Sequence, residues 1–154
     1  TLFEPEPLEI AVTYSDTAAY NMWSSEHQLT DDVELEMRNE LSSFLIQPKI
    51  SIVLLIADRH IQHLGKTLLS MTEQIYENFD VCLVYSESIK EQVFRIVSDI
   101  SDSRIIINSE LEQAELLNRA SLSSTGEFLA FVNCGCALTK DALFRAIKLL
   151  NRES

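Results

Sequence analysis

The sequence predicts an α/β fold: a mainly parallel β-sheet held between helical layers as a three-layer sandwich. Two observations carry this. Four short apolar runs, at residues 50–57 (ISIVLLIA), 80–85, 104–107 and 127–132, stand between turn signals. The segments between them place apolar residues at helical spacing, as at Leu64, Leu68, Met71 and Ile75. Unbroken apolar runs suit strands buried on both faces. Strands alternating with helices make βαβ units with right-handed crossovers.

The elements follow in order. Residues 1–13 are acidic and punctuated by proline, and read as extended. Residues 14–28 read as a short helix capped by Ser15 or Asp16, with Tyr20 and Trp23 three apart on one face. These aromatics either pack on the main domain or pair with another copy of the chain. Thr30 is placed to cap a further helix, whose stripe is Val33, Met37, Leu41 and Phe44/Leu45. It should run to about Leu45, before Pro48. Residues 50–57 are the strongest strand, rich in β-branched side chains. A loop at 58–60 and a helix over 61–77 follow. Residues 80–85 form a second strand, and Ser86-Glu87-Ser88 begins a helix over 89–100 with Val93, Ile96, Val97 and Ile100 inward. A short strand at 104–107, a helix over 110–123 and a strand at 127–132 come next. The strand at 127–132 runs into a small polar elbow, Asn133-Cys134-Gly135-Cys136, and a last helix over 139–151 has Thr139 as cap and Asp141 in its first turn. In open α/β sheets the carboxyl ends of strands are where ligands bind.

The 154 residues suit one domain with an acidic extension, 1–47 followed by 48–154. Hydrophobic residues make up 46% and charged residues 23%, the balance of a globular protein. No apolar run reaches the length of a membrane span, and no signal peptide is visible at the start. The first residue is Thr, so a longer parent chain is expected. The net charge of −12 is uneven: residues 1–48 hold ten acids and one base, Arg38. Such a surface repels phosphate backbones, which argues against nucleic acid as a partner. Three cysteines, Cys82, Cys134 and Cys136, form no disulfide framework and suit a reducing cytoplasm. Only three glycines are present, and neither a G-x-G-x-x-G nor a P-loop pattern occurs. His27, His60 and His63 lack metal-ligand spacing and read as surface residues, and the Cys-Gly-Cys pair is too close for a zinc knuckle.

Asn118-Arg119-Ala120, the run from Gly126 to Phe131 and Asp141-Ala142-Leu143 stand in a telling order. In order and spacing they resemble the nucleotide-sugar half of family 2 glycosyltransferases, whose pattern is roughly R-N-x-G, G-E-Y-I-A-F-L-D-x-D-D and P-D-A-L. Tyr20 and Trp23, followed by Gln47-Pro48-Lys49, resemble the entry to large bacterial members. The resemblance covers about two-thirds of the chain. It implies a GT-A, Rossmann-like fold with strand order 3-2-1-4 and a switch point between the strands at 50–57 and 127–132.

The resemblance also implies where a nucleotide-sugar would sit, and there the chemistry has thinned. At the first strand end the family has Pro-Thr-Tyr-Asn-Arg; here Leu55, Ile56, Ala57, Asp58 and Arg59 stand, and only Arg59 is kept. Asp58 either accepts from a base or ribose or caps the next helix. At the second strand end the family has Val-Asp-Asp-Gly-Ser; here Tyr85 and Ser86 replace both aspartates, with Glu87 one position on. Tyr85 either stacks on a base or packs inward. Asn118 and Arg119 match the family's positions, and Arg119 either meets a diphosphate or faces solvent. The family's Asp-x-Asp, which binds Mg or Mn and the sugar diphosphate, is here Asn133, Cys134, Gly135 and Cys136. Thiols are the wrong donors for those hard cations. Losing two carboxylates beside a dication forfeits several kcal/mol of attraction, of the order given by an effective dielectric of ~20.

No catalytic residue is therefore assigned, and no metal ligand. The residues matched to nucleotide-sugar binding are Ala57, Asp58, Arg59, Tyr85, Glu87, Asn118, Arg119, Asn133 and Gly135. Two functions are expected from this. One is the donor half of a bacterial enzyme of surface polysaccharide synthesis, inactive by itself because the acceptor half with its general base is absent. The other is a non-catalytic interaction or scaffolding domain beside other domains of its parent chain.

Overall fold

The structure is a computed structural model that describes residues 29–107 and 126–153. The expected helices at 14–28 and 110–123, with Tyr20, Trp23, Asn118 and Arg119, lie outside the described residues. Four strands form one parallel sheet: β1 (Ile50–Leu55), β2 (Phe79–Val84), β3 (Ile105–Ile107) and β4 (Phe128–Asn133), in the order β3-β2-β1-β4. The register pairs Leu55 with Val84 on one side and with Asn133 on the other, so three strands end together. The fold is thus Rossmann-like α/β, with the expected strand order and with β1 and β4 side by side in one direction.

Alternation of side chains divides the interior. Ile52, Leu54 and Ile56 join Val81 and Leu83 in the larger cluster. Helices α1 (Asp31–Ser42), α2 (Leu64–Thr72), α3 (Lys90–Ile100) and α4 (Ala142–Glu153) all contribute to it, through Leu41, Leu68, Val93 and Ile147 among others. Val53, Cys82 and Val84, with Leu55, form a second cluster of the opposite parity. The central strands are buried on both faces, as their unbroken apolar runs predict. The expectation of two-sided burial fails at β4. Phe128, Leu129 and Phe131 are 46%, 42% and 55% exposed, because β4 is an edge strand among the described residues.

Several boundaries differ from expectation, each for a reason visible in the hydrogen bonds. Helix α1 is capped by Thr30, whose Oγ1 accepts from the Val33 N–H, with Asp31, Asp32 and Glu34 against the positive end of its dipole. It ends at Ser42, not near Leu45. Ser42 and Ser43 donate back to the carbonyls of Asn39 and Glu40, and Gln47 donates to Leu41 and Phe44. Side-chain bonds to the last turn compete with continued helix, and Leu45 is left 97% exposed. The helix is docked all the same. Phe44 stacks on Phe144 at 5.7 Å, and Glu40 pairs with Lys148 at 2.9 Å.

The segment after β1 is not a loop but a 3-10 turn, Asp58–His63, leading into α2. No side chain caps it, and the His60 N–H bonds instead to the Ala57 carbonyl. Tight i→i+3 bonds are the usual way to satisfy uncapped helix-start donors. Helix α2 stops at Thr72, short of the expected 77, because the chain turns away to meet residues 139–140: Gln74 donates to the Thr139 carbonyl and Ile75 to that of Lys140.

The β2–β3 edge carries a compact polar clamp. Arg104 lies over the Phe79 ring at 4.3 Å, pairs with Asp102 at 2.7 Å and donates to the Thr72 carbonyl. The Arg104 hydrogen bonds hold the Asp102 carboxyl below its ordinary value, outweighing the effect of burial. A depressed folded-state value gives stability that is present above the ordinary 3.8 and lost as pH falls through the folded value. We expect Asp102→Asn to flatten the acid limb of the urea midpoint against pH. An unchanged acid limb would show that this pair does not carry acid sensitivity.

Candidate functional site

The candidate site is the carboxyl edge of β1, β2 and β4. Asp58, three residues beyond β1, reaches across to the segment after β2. Its Oδ1 accepts from Ser86 Oγ at 2.5 Å and its Oδ2 from Ser88 Oγ at 2.6 Å, and the two hydroxyls approach each other to 2.7 Å. Each hydroxyl has one proton to donate, so two protons serve three short contacts around one carboxylate. The bonds from Ser86 and then Ser88 hold the Asp58 carboxyl below its ordinary value. Asp58 is therefore not a side-chain cap of the turn that follows β1. It latches the first strand-end loop to the second.

The other matched residues are placed as follows. Ala57 precedes the 3-10 turn, and its carbonyl accepts from His60. Arg59 is exposed beside His60. Tyr85 is 5% exposed and its ring belongs to the main cluster, which is the packing alternative. Burial, then the nearby Glu87 charge, push its phenol up, and its hydroxyl has no hydrogen-bond partner among the described residues. Glu87 is exposed and pairs with Lys90 at 3.5 Å. Asn133 ends β4, exposed, with its carbonyl accepting from Cys136. Gly135 takes φ +105°, a left-handed conformation that L side chains rarely adopt.

The elbow is held from below by one face of α2 and by Gln74, two residues past its end. Thr67 Oγ1 accepts from the Gly135 N–H at 3.1 Å, and Ser70 Oγ accepts from the Leu138 N–H at 3.1 Å. Gln74 Oε1 accepts from the Leu143 N–H at 3.1 Å, while its Nε2 donates to the Thr139 carbonyl at 2.6 Å. Positions 67, 70 and 74 recur at helical spacing. At the start of α4 the Thr139 carbonyl accepts from the Ala142 N–H and Gln74 Oε1 from the Leu143 N–H, and Asp141 pairs with Arg145 at 2.5 Å. Burial works to raise Asp141, but its bonds to Arg145 and Thr139 outweigh it and the carboxyl sits below its ordinary value. Thr67, Ser70 and Gln74 shape the candidate site without having been singled out in the sequence, and Ser86 and Ser88 were placed at the second strand end but given no role there. The 67-70-74 spacing was a signal, but a short polar stripe on an amphipathic helix looks like an ordinary solvent face.

The donors do not fit a hard divalent cation. The elbow offers the Asn133 amide, an exposed Cys136 thiol and a Cys134 thiol that is buried and bonded to the His60 carbonyl at 3.3 Å. Oxygen donors, chiefly carboxylates, are what Mg and Mn require. Among the described residues no cluster of His, Cys, Asp or Glu is arranged to hold a metal ion. No described helix is long and apolar enough to cross a membrane.

No family model matches the sequence, and no curated protein matches it. Among solved structures, the chain is similar to the mannosyltransferase PcManGT from Pyrobaculum calidifontis, solved in complex with GDP-Man and Mn2+. The TM-score is 0.57 and the identity 15%, over 88% of this chain and 44% of that one. The chain thus has a glycosyltransferase-like fold and spans less than half the length of that neighbour.

Proposed function

We propose that this chain is a family 2-like GT-A unit of a larger glycosyltransferase-type protein, in which this segment serves as a framework and interaction domain instead of a donor site. The observation that carries the proposal is the elbow. It has no carboxylate, and neutral side chains, Thr67, Ser70 and Gln74, fix its backbone. An elbow pinned this way keeps its shape without a cation. The Asp58 latch supports the same reading, since its oxygens are already engaged.

The Mechanism of such a unit is binding, not chemistry. The strand ends order the loops after β1 and β2, and the acidic segment 1–47 would act as an extension that docks other domains or a second copy. A nucleotide-sugar would find a guanidinium, Arg59, and a backbone turn, but no paired carboxylates through which a Mg or Mn ion would hold its diphosphate.

A second reading rests on the neighbour, solved in complex with GDP-Man, and on Arg59 standing exposed beyond the carboxyl end of β1. In that reading the unit is the donor half of a bacterial polysaccharide-building enzyme. Calorimetric titration with UDP and with GDP, each with and without Mn, separates the two. We expect no saturable heat in the micromolar range. Micromolar, Mn-dependent binding of either nucleotide would overturn the framework reading in favour of the donor half.

A further inference from the structure

We propose that Cys134 and Cys136 form a reversible intrachain disulfide across the glycine elbow, making the end of β4 a thiol-oxidation site. The inference is independent of the proposed function. Two residues with one between them have Cα atoms about 5–7 Å apart, which overlaps the separation a disulfide spans. The Cys136 N–H bonds to the Asn133 carbonyl at 3.2 Å, so the chain reverses between the two cysteines. Gly135, the residue that must rotate, has φ +105° and would meet nothing within 4 Å even with a Cβ. The space beside Gly135 is therefore open, and the contact that rotation would strain is its N–H bond to Thr67 Oγ1.

The two thiols differ in a way that orders the reaction. Cys136 is exposed and meets an oxidant first. Cys134 is buried, and its Sγ donates to the His60 carbonyl. Burial pushes the Cys134 thiol up, while bonds from Thr67 and Gly135 work against that rise. Its burial keeps a free oxidant away, so Cys134 is placed to resolve a mixed disulfide on Cys136 and not to attack first. Cys82 is buried in the second cluster with Val53 and Val84 and takes no part.

The oxidant is a low-molecular-weight disulfide of the glutathione class. The Cys136 thiolate attacks one of its sulfurs, forming a mixed disulfide and expelling one thiolate. The Cys134 thiolate then attacks the Cys136 sulfur and expels the second. Both protons end on the released thiols, the two cysteines lose two electrons, and the small disulfide gains them. The bond would remove the Cys134 contact to the His60 carbonyl and so untie β4 from the turn after β1.

The test uses the full chain, reduced and then equilibrated with oxidised glutathione, unfolded in acid and alkylated. The tryptic peptide 120–140 carries both cysteines. We expect it to lose two hydrogens and to escape alkylation, while Cys82 is alkylated. In Cys134→Ser a glutathione adduct should persist on Cys136, several-fold above wild type. A wild-type product with glutathione on Cys136 and an alkylatable Cys134 would overturn the proposal, as would a dimer linked through Cys136. Should Cys134→Ser not fold, Cys136→Ser, a change at an exposed side chain, must leave Cys134 unoxidised.

Discussion

Replacing Gln74 with Ala should lower the unfolding free energy by about 2–4 kcal/mol. Gln74 is 2% exposed, and its amide is the only side-chain link between the end of α2 and the start of α4 among the described hydrogen bonds. Its Nε2 donates to the carbonyls of Ser70 and Thr139, and its Oε1 accepts from the Leu143 N–H. Alanine leaves the Leu143 N–H without its partner in a buried place, takes one of two donors from the Thr139 carbonyl and opens a cavity where the amide stood. The loss would appear as a fall in Tm of roughly 5–15 °C for a chain of this size. Gln74→Glu keeps the acceptor for Leu143 but brings a carboxylate against two carbonyls, so it should also destabilise. A loss below about 0.5 kcal/mol in Gln74→Ala would mean that solvent or a neighbour replaces these bonds.

Gly126→Ala is the second large effect, expected to cost about 2–3 kcal/mol. Gly126 leads into β4, and its N–H donates to the buried Ser51 hydroxyl at 2.9 Å. A Cβ there would stand 2.6 Å from the Ser51 amide nitrogen and 3.0 Å from the Lys49 carbonyl oxygen. Both are backbone atoms, Ser51 within β1 and Lys49 just before it, and Glu127 and Phe128 also bond to the Lys49 carbonyl. Relief requires β4 to move off β1, which breaks the ladder. Gly65→Ala is the control. Its Cβ would meet only the Ile96 side chain, at an ordinary 3.8 Å, and alanine is the better helix former by about 1 kcal/mol. Urea unfolding of the two variants should move in opposite directions. Equal and small shifts would show that the approach at Gly126 relaxes without cost.

The pattern of apolar runs made the sheet legible, because burial on both faces leaves an unbroken run as its trace in β1 and β2. The Thr30 cap was legible because capping is local, made within one turn of the chain. The helix end near Ser42 and the 3-10 turn after β1 were not. Both are set by which side chains reach back to the backbone or across to another loop. The exposure of β4 escaped for a related reason: an apolar run does not say whether a strand is central or at an edge.

By itself, then, the sequence determined the α/β class, the positions of the strands, the inward residues of α2 and α3, and the absence of carboxylates at the elbow. These depend on residue type and on spacing along the chain, which a linear reading preserves. Only the tertiary structure decided that Asp58 latches to Ser86 and Ser88, that Thr67, Ser70 and Gln74 carry the elbow, and that Tyr85 is turned into the core. Such contacts join residues some 30 to 70 positions apart. A hydroxyl or an amide chooses its partner by distance in space, and the chain order records nothing of that distance until the sheet has brought the strand ends together.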